Sequence, residues 1–273
     1  MRSWYAFARK EMQESVRSGK LVLFFLLFLL FGIMNPAMTK MTPWLMETLA
    51  GSLEESGMMI TTMEVTAMSS WMQYYKNIPV AIILFLLLFG GSQAAEYQKG
   101  TLIPILTKGL DRWKVVLAKA AVMLLLWTAG YWMMFGITFG YTVYFWDNSV
   151  VSHSIFAGFC VYLTGIWLIS LMMLFGTCLK SAMASLGGVG GVYLVSYVLG
   201  IFPAVQKYLP TRLFDMNSLL SGAKNPADFL PAIFVAIVFS VCHILGAIWI
   251  FDRKALSRGF SMLRKPELRA GWK

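Results

Sequence analysis

The sequence predicts an all-α membrane protein, with six transmembrane helices and an N-terminal helix at the membrane surface. Three observations predict it. The chain is 58% hydrophobic and only 13% charged, whereas ordinary soluble domains carry about 25% charged residues. Six uncharged stretches each supply the roughly 20 residues that a helix needs to cross the hydrocarbon core. Lys and Arg concentrate in alternate connecting segments, the pattern of cytoplasmic loops. A soluble fold with a mean hydropathy of +0.67 would expose large apolar patches. Lipid solvates them instead. A chain in lipid must satisfy its backbone internally, and the alternation of a β-barrel is absent, so the spans are helices.

The elements follow in order. Residues 1–20 form an interfacial helix. Trp4, Ala8, Met12 and Val16 recur at steps of four with Tyr5 beside them, and Arg9, Lys10, Gln13, Glu14 and Arg17 fill the other side. Such a helix lies in the headgroup plane. The polar, mixed-charge start and the long apolar run after it do not fit a cleavable signal. Uncharged residues cover 21–39, 77–95, 120–146, 148–179, 181–206 and 229–251. Spans are placed at 21–39, 77–95, 120–146, 155–179, 182–203 and 229–251. Residues 40–76 are Met-rich and hold Pro43, Trp44, Glu47 and Glu64; they read as an extracellular segment of short amphipathic helices. Residues 203–231, with Pro210, Gly222 and Pro226, read as a broken, partly re-entrant connection or a plain loop. Of the 23 basic residues, 18 lie in the first segment, the loop after span two, Lys180 and the tail. The positive-inside rule therefore places both termini in the cytoplasm. Basic residues beside membrane ends suit anionic lipid or a cytoplasmic partner better than nucleic acid.

Chemistry is sparse. No G-x-x-x-x-G-K-[ST] loop occurs, so ATP hydrolysis is not expected in this chain. Cys160, Cys178 and Cys242 lack metal or redox spacing and read as buried thiols. His153 and His243 stand apart, so no metal site is expected, and no nucleophile has an evident base, so no catalytic residue is assigned. No Asp, Glu, Lys or Arg lies well within a span, which argues against an ion-coupled carrier. The energy for any transport would enter through a cytoplasmic contact. The loop at 96–114 is the place for it. It begins Glu96-Tyr97-Gln98-Lys99-Gly100-Thr101-Leu102 and continues through Pro104, Leu106, Lys108, Asp111, Arg112, Trp113 and Lys114. Gly100 can end one helix and Thr101 can cap the next. Mixed charge there suits a soluble partner, or an ordinary interhelical loop.

Residues 96–119 resemble the E-x-x-x-G-T-L segment of ABC-2 type transporter permeases, through Glu96, Gly100, Thr101, Leu102, Leu106, Arg112 and Lys119. Ala8-Arg9-Lys10-Glu11 resembles the family's opening, and the six-span layout matches it. The resemblance implies an ABC-2, type V exporter-like architecture in a bacterial cell membrane. It implies two permease copies, forming a homodimer, bound to separate ATP-binding cassette subunits. ATP and Mg would sit in those partners, with no cofactor in this chain. Glu96, Gly100, Thr101, Leu106, Asp111 and Arg112 would couple to the ATPase. The large first external segment departs from polysaccharide exporters. It looks more like the members exporting peptides, antibiotics or lipophilic compounds. An amphipathic or hydrophobic cargo would pass Asn35, Thr39, Gln93, Ser196 and Tyr197. Gly187, Gly188, Gly190 and Gly191 make span five a candidate dimer seam, by close helix approach. Two alternatives stay open: a non-transport sensor or scaffold using residues 40–76, and an intramembrane enzyme using His243 with a nearby hydroxyl.

Overall fold

The computed structural model describes residues 2–54, 64–92, 96, 111–179 and 181–253, and among these there is no strand. The helices are α1 (Arg2–Arg17), α2 (Lys20–Glu54), α3 (Ala67–Phe85), α4 (Arg112–Phe145), α5 (Ser154–Cys178), α6 (Ala182–Leu199), α7 (Pro203–Gln206), α8 (Met216–Leu220) and α9 (Leu230–Arg253). A π-helical turn, Leu86–Gly90, continues α3, and 3-10 turns lie at Asn148–Val150, Pro210–Phe214 and Pro226–Phe229. Six of these stretches are long and apolar enough to cross a membrane: Lys20–Thr48, Ala67–Gly90, Arg112–Phe145, Ser154–Cys178, Ala182–Leu199 and Pro226–Arg253.

The helix α5 is the most enclosed, flanked by α4, α6 and α9, while α2 lies along α3 and α4. Aromatic rings fill the centre. Phe24 and Phe28 of α2, Trp71, Tyr74 and Phe85 of α3, and Trp127 and Tyr131 of α4 have no exposed surface. Edge-to-face pairs such as Phe85–Trp127, with centroids 5.5 Å apart, suit the quadrupoles of the rings. Two glycines make room for them. A Cβ on Gly130 would meet the Phe24 ring at 2.1 Å, and one on Gly165 would meet Trp127 at 2.2 Å.

Helices in lipid gain little from apolar burial against one another, so close packing and polar cross-links hold them together. Thr138 Oγ1 donates to the Gly32 carbonyl at 3.0 Å. That carbonyl needs a donor because Pro36, four residues on, has no N–H to give it. Ser70 and Thr142 hydroxyls meet at 2.8 Å, and Asn77 Nδ2 donates to Asn35 Oδ1 at 2.7 Å. These bonds stitch α2, α3 and α4.

The structure alters four expectations. First, residues 40–54 are not separate short helices but the continuation of α2, which runs through Pro36 and Pro43. Thr39, Thr42 and Thr48 bond carbonyls one turn back, and no Gly or Asn stop follows the prolines before Gly51. Residues 55–63 lie outside the described residues. Second, α3 begins at Ala67 and α4 at Arg112, ahead of the expected span starts at 77 and 120, because the mixed turns before them pack into the bundle through Trp71, Tyr74, Val115 and Val116. Third, the buried face of α1 is rotated. Phe7 and Glu11 are buried and Trp4, Ala8 and Met12 half-buried, whereas Tyr5 and Val16 are exposed. The helix packs on α4 and α2, and that contact, rather than the apolar count, sets its inner face. Fourth, Cys160 is buried but Cys178 and Cys242 are exposed on the protein surface. The broken stretch after α6 is packed: Leu213, Met216, Leu219, Leu220 and Phe229 are all buried.

Candidate functional site: an ion-pair network at the base of the bundle

Three separate parts of the chain bring charge to one end of the bundle. Lys10, Glu11 and Glu14 come from α1, Glu96 from beyond the π turn of α3, and Lys119 from the third turn of α4. Val115, Val116 and Ala118 are fully buried, so this part of α4 runs beneath α1 and carries Lys119 inward with it. Only 2% of the Lys119 side chain is exposed. An ammonium group buried this way is costly unless paired. Lys119 Nζ contacts Glu11 Oε2 at 2.7 Å and Glu96 Oε2 at 2.8 Å. Lys10 Nζ contacts Glu96 Oε1 at 2.8 Å, Glu14 Oε2 at 2.9 Å and Glu11 Oε1 at 3.2 Å. Oxygens of Glu11, Glu14 and Glu96 lie within 4.8 Å of one another, and the positive charge among them comes from the two lysines. The Phe7 ring, 5.4 Å from Lys10 Nζ and 5.8 Å from Lys119 Nζ, offers both ammonium groups its face.

Burial opposes ionisation of Glu96, but the Lys119 charge and the bonds from both lysines outweigh it, so its carboxyl titrates below the usual carboxylate range. Burial also opposes the charged form of Lys10, yet its bonds to Glu96 and Glu14 raise its pKa well above the usual lysine value. The signs define a window. The Glu96 contribution is present above its unfolded value of about 4.3 and is lost as pH falls through the lower native value. The Lys10 contribution is present below about 10.4 and is lost as pH rises through the higher native value. Thermal unfolding in detergent should therefore show a stability plateau between about pH 5 and 10. Glu96→Gln should flatten the acid limb, and an unchanged limb would remove Glu96 from that role.

The other sequence-chosen residues fall as follows. Arg112 Nη1 donates to the carbonyls of Asp252 at 2.8 Å and Phe251 at 3.4 Å, where it meets the negative end of α9. Asp111 pairs with Lys114 at 2.6 Å. Gly100, Thr101, Leu106 and Gln93 lie outside the described residues. Asn35 is fully buried between α2 and α3 with its partner Asn77. Thr39 lines a polar hollow of 590 Å³ between α2, α3 and the segment after Phe214. Ser196 bonds Thr211 at 3.2 Å, and Tyr197 lines a second hollow of 270 Å³ that shares Phe214 and Asp215 with the first. The network residues that the sequence did not mark as a site are Lys10, Glu11, Glu14 and Lys119, although Lys119 closes the matched motif and Lys10 and Glu11 lie in the family's opening. Their signal was present. Glu11 falls on the same helical face as Phe7, Ala8 and Met12, and Lys119 follows a wholly apolar turn.

His243 does have a hydroxyl beside it: its Nδ1 lies 3.0 Å from Ser170 Oγ. The Ser170 hydroxyl also lies 2.7 Å from the Trp167 carbonyl. The pair cross-links α5 and α9. His243→Ala should lower stability by about 1 kcal/mol, as polar links between membrane helices do, and leave transport intact. Abolished transport in a folded variant would show that the pair does more.

The family model for the ABC-2 family transporter protein matches residues 5–210. The chain belongs to this family. No curated protein matches it significantly. The matched stretch runs from α1 to the turn after α7, and so holds every member of the ion-pair network. An ABC-2 protein of this kind is the membrane permease component of an ABC transporter, generally without catalysis of its own. The family implies an ATP-binding cassette partner, and the six apolar helices make this ABC-2 permease a multi-pass membrane protein.

Proposed function

We propose that this permease is the transmembrane half of an ATP-driven exporter. It works as a homodimer in a bacterial cell membrane with both termini in the cytoplasm. ATP and Mg are held by a separate ATP-binding subunit, and the cargo is amphipathic or hydrophobic. The ion-pair network carries this reading. Glu96 and Asp111 bracket residues 97–110, which the resemblance nominates as the contact with the ATPase. Glu96 is tied to α1 and α4 through Lys10 and Lys119. Arg112, at the other edge, is tied to the end of α9. A push on that loop would move three helices as bodies rather than be absorbed by a slack connection, the usual means of switching access in packed helical proteins.

The open side of α6 supports a second copy. A Cβ on Gly187 or Gly191 would meet nothing within 4 Å, which leaves room for another helix to approach closely. Co-expression with an ATP-binding cassette subunit from the same organism tests the reading. The two chains should purify together, and the reconstituted complex should hydrolyse ATP faster in the presence of an amphipathic peptide or drug. A permease that purifies alone and moves solute on an ion gradient would overturn it.

A further inference from the structure

At the end of the bundle away from the ion-pair network, the Pro210–Phe214 turn carries Arg212. It is half-buried, its Nε is enclosed without a hydrogen-bond partner, and among the described residues no carboxylate pairs with it. The Phe229 ring lies 5.3 Å from its guanidinium carbon. Asp215, which lines the same 270 Å³ hollow, is already paired with Lys224 at 2.8 Å. Tyr193, Tyr197, Gln206 and Thr211 complete the polar wall. A guanidinium held over a hollow without a counter-charge is a receptor for a carboxylate or phosphate, which it can grip with paired N–H donors.

A second hollow of 270 Å³ adjoins it. Its walls are almost wholly apolar, with Ile82, Leu86, Leu168 and Val189 between α3, α5 and α6, and it shares Tyr193 and Phe214 with the first. Together they form one tract, charged at one end and apolar along the helices. We infer that this tract binds a single-chain anionic amphiphile, its phosphate or carboxylate head on Arg212 and its tail in the groove of α6. Lipid tails are as apolar as the groove, so burial of the tail discriminates little. Selectivity comes from the head. This gives a ligand class to the export reading, and it rests on that reading only for the ligand's role as cargo.

The probe is hexadecyl phosphate, its binding to the full-length permease in detergent followed by native mass spectrometry, with uncharged hexadecan-1-ol as the control. The phosphate should bind at least about tenfold more tightly, since a hydrogen bond to a charged group is worth about 1.5–3 kcal/mol. Arg212→Gln should erase that preference and Arg212→Lys should restore part of it. Gly190→Phe should fill the groove, because Gly190 lines it and has open space beyond its Cα; hexadecyl phosphate should then be excluded sterically and bind more weakly than to the parent. Equal binding of both head groups, or an unchanged preference in folded Arg212→Gln, would overturn the site. Binding needs no ATPase, so this result stands apart from the test of export. With the ATPase present, stimulation by hexadecyl phosphate marks it as cargo, and stoichiometric binding without stimulation marks a resident lipid; either outcome supports the site.

Discussion

Lys119→Met should destabilise the permease by about 3–5 kcal/mol, the cost of leaving one side of a buried ion pair without its partner. The substitution removes both ion pairs of a nearly inaccessible ammonium group, at 2.7 and 2.8 Å, and leaves Glu11 and Glu96 facing each other with Lys10 between them. Like charges at that separation repel, so part of the cost appears as a raised carboxyl pKa. The second substitution is therefore informative. Lys119→Met combined with Glu96→Gln should recover much of the loss, since an uncharged, well-shaped replacement of a buried pair is often near neutral. The measurement is thermal or denaturant unfolding of both variants in detergent. Equal stability of Lys119→Met and the parent would mean that water reaches the pair and that the network is not what holds α1 to α4. A double variant worse than the single one would mean that Glu96 has further essential contacts.

The reach of the sequence differs between the fold and the site, for a physical reason. Six spans are visible because each crossing must be long and apolar, a constraint carried by consecutive residues. The extent of α2 to Glu54 was not visible. The uncharged run ends at Thr39 and Pro43 follows soon after, yet the helix continues, and the carbonyl that Pro36 leaves open is met by Thr138, 106 residues away. The same holds for the site. Glu96 and Lys119 both stood in the motif, but as separate positions 23 apart, and Lys10 sits 86 positions from Glu96; only packing of α1 across α4 brings all three together. The face of α1 shows the point most plainly. Counting apolar residues selects Tyr5 and Val16, while the bundle selects Phe7 and Glu11. A charged residue on an apolar face is visible in a sequence as an anomaly; its partner is set by tertiary structure.

Arg112→Gln should separate coupling from stability. The guanidinium donates to the carbonyls of Phe251 and Asp252, so its loss leaves polar groups near the surface that water can serve, at a cost of about 1–2 kcal/mol. The variant should fold and still purify with the ATPase. What it loses is the tether between the edge of the loop and α9. Coupling between sites is typically worth about 1–3 kcal/mol, or roughly 5- to 150-fold, so cargo-stimulated hydrolysis and export should fall by about tenfold while basal hydrolysis stays near that of the parent complex. Arg112→Lys should behave in between, because its ammonium keeps the charge and the donors but sits on a shorter, differently shaped side chain than the Nη1 that meets both carbonyls. Glu96→Gln should lower the same stimulated rate from the opposite edge of the loop, with its stability change read separately from the pH profile. If both edges can be cut and stimulated export stays at the parent level, force enters the permease elsewhere, and residues 96–114 are only a connection between two spans.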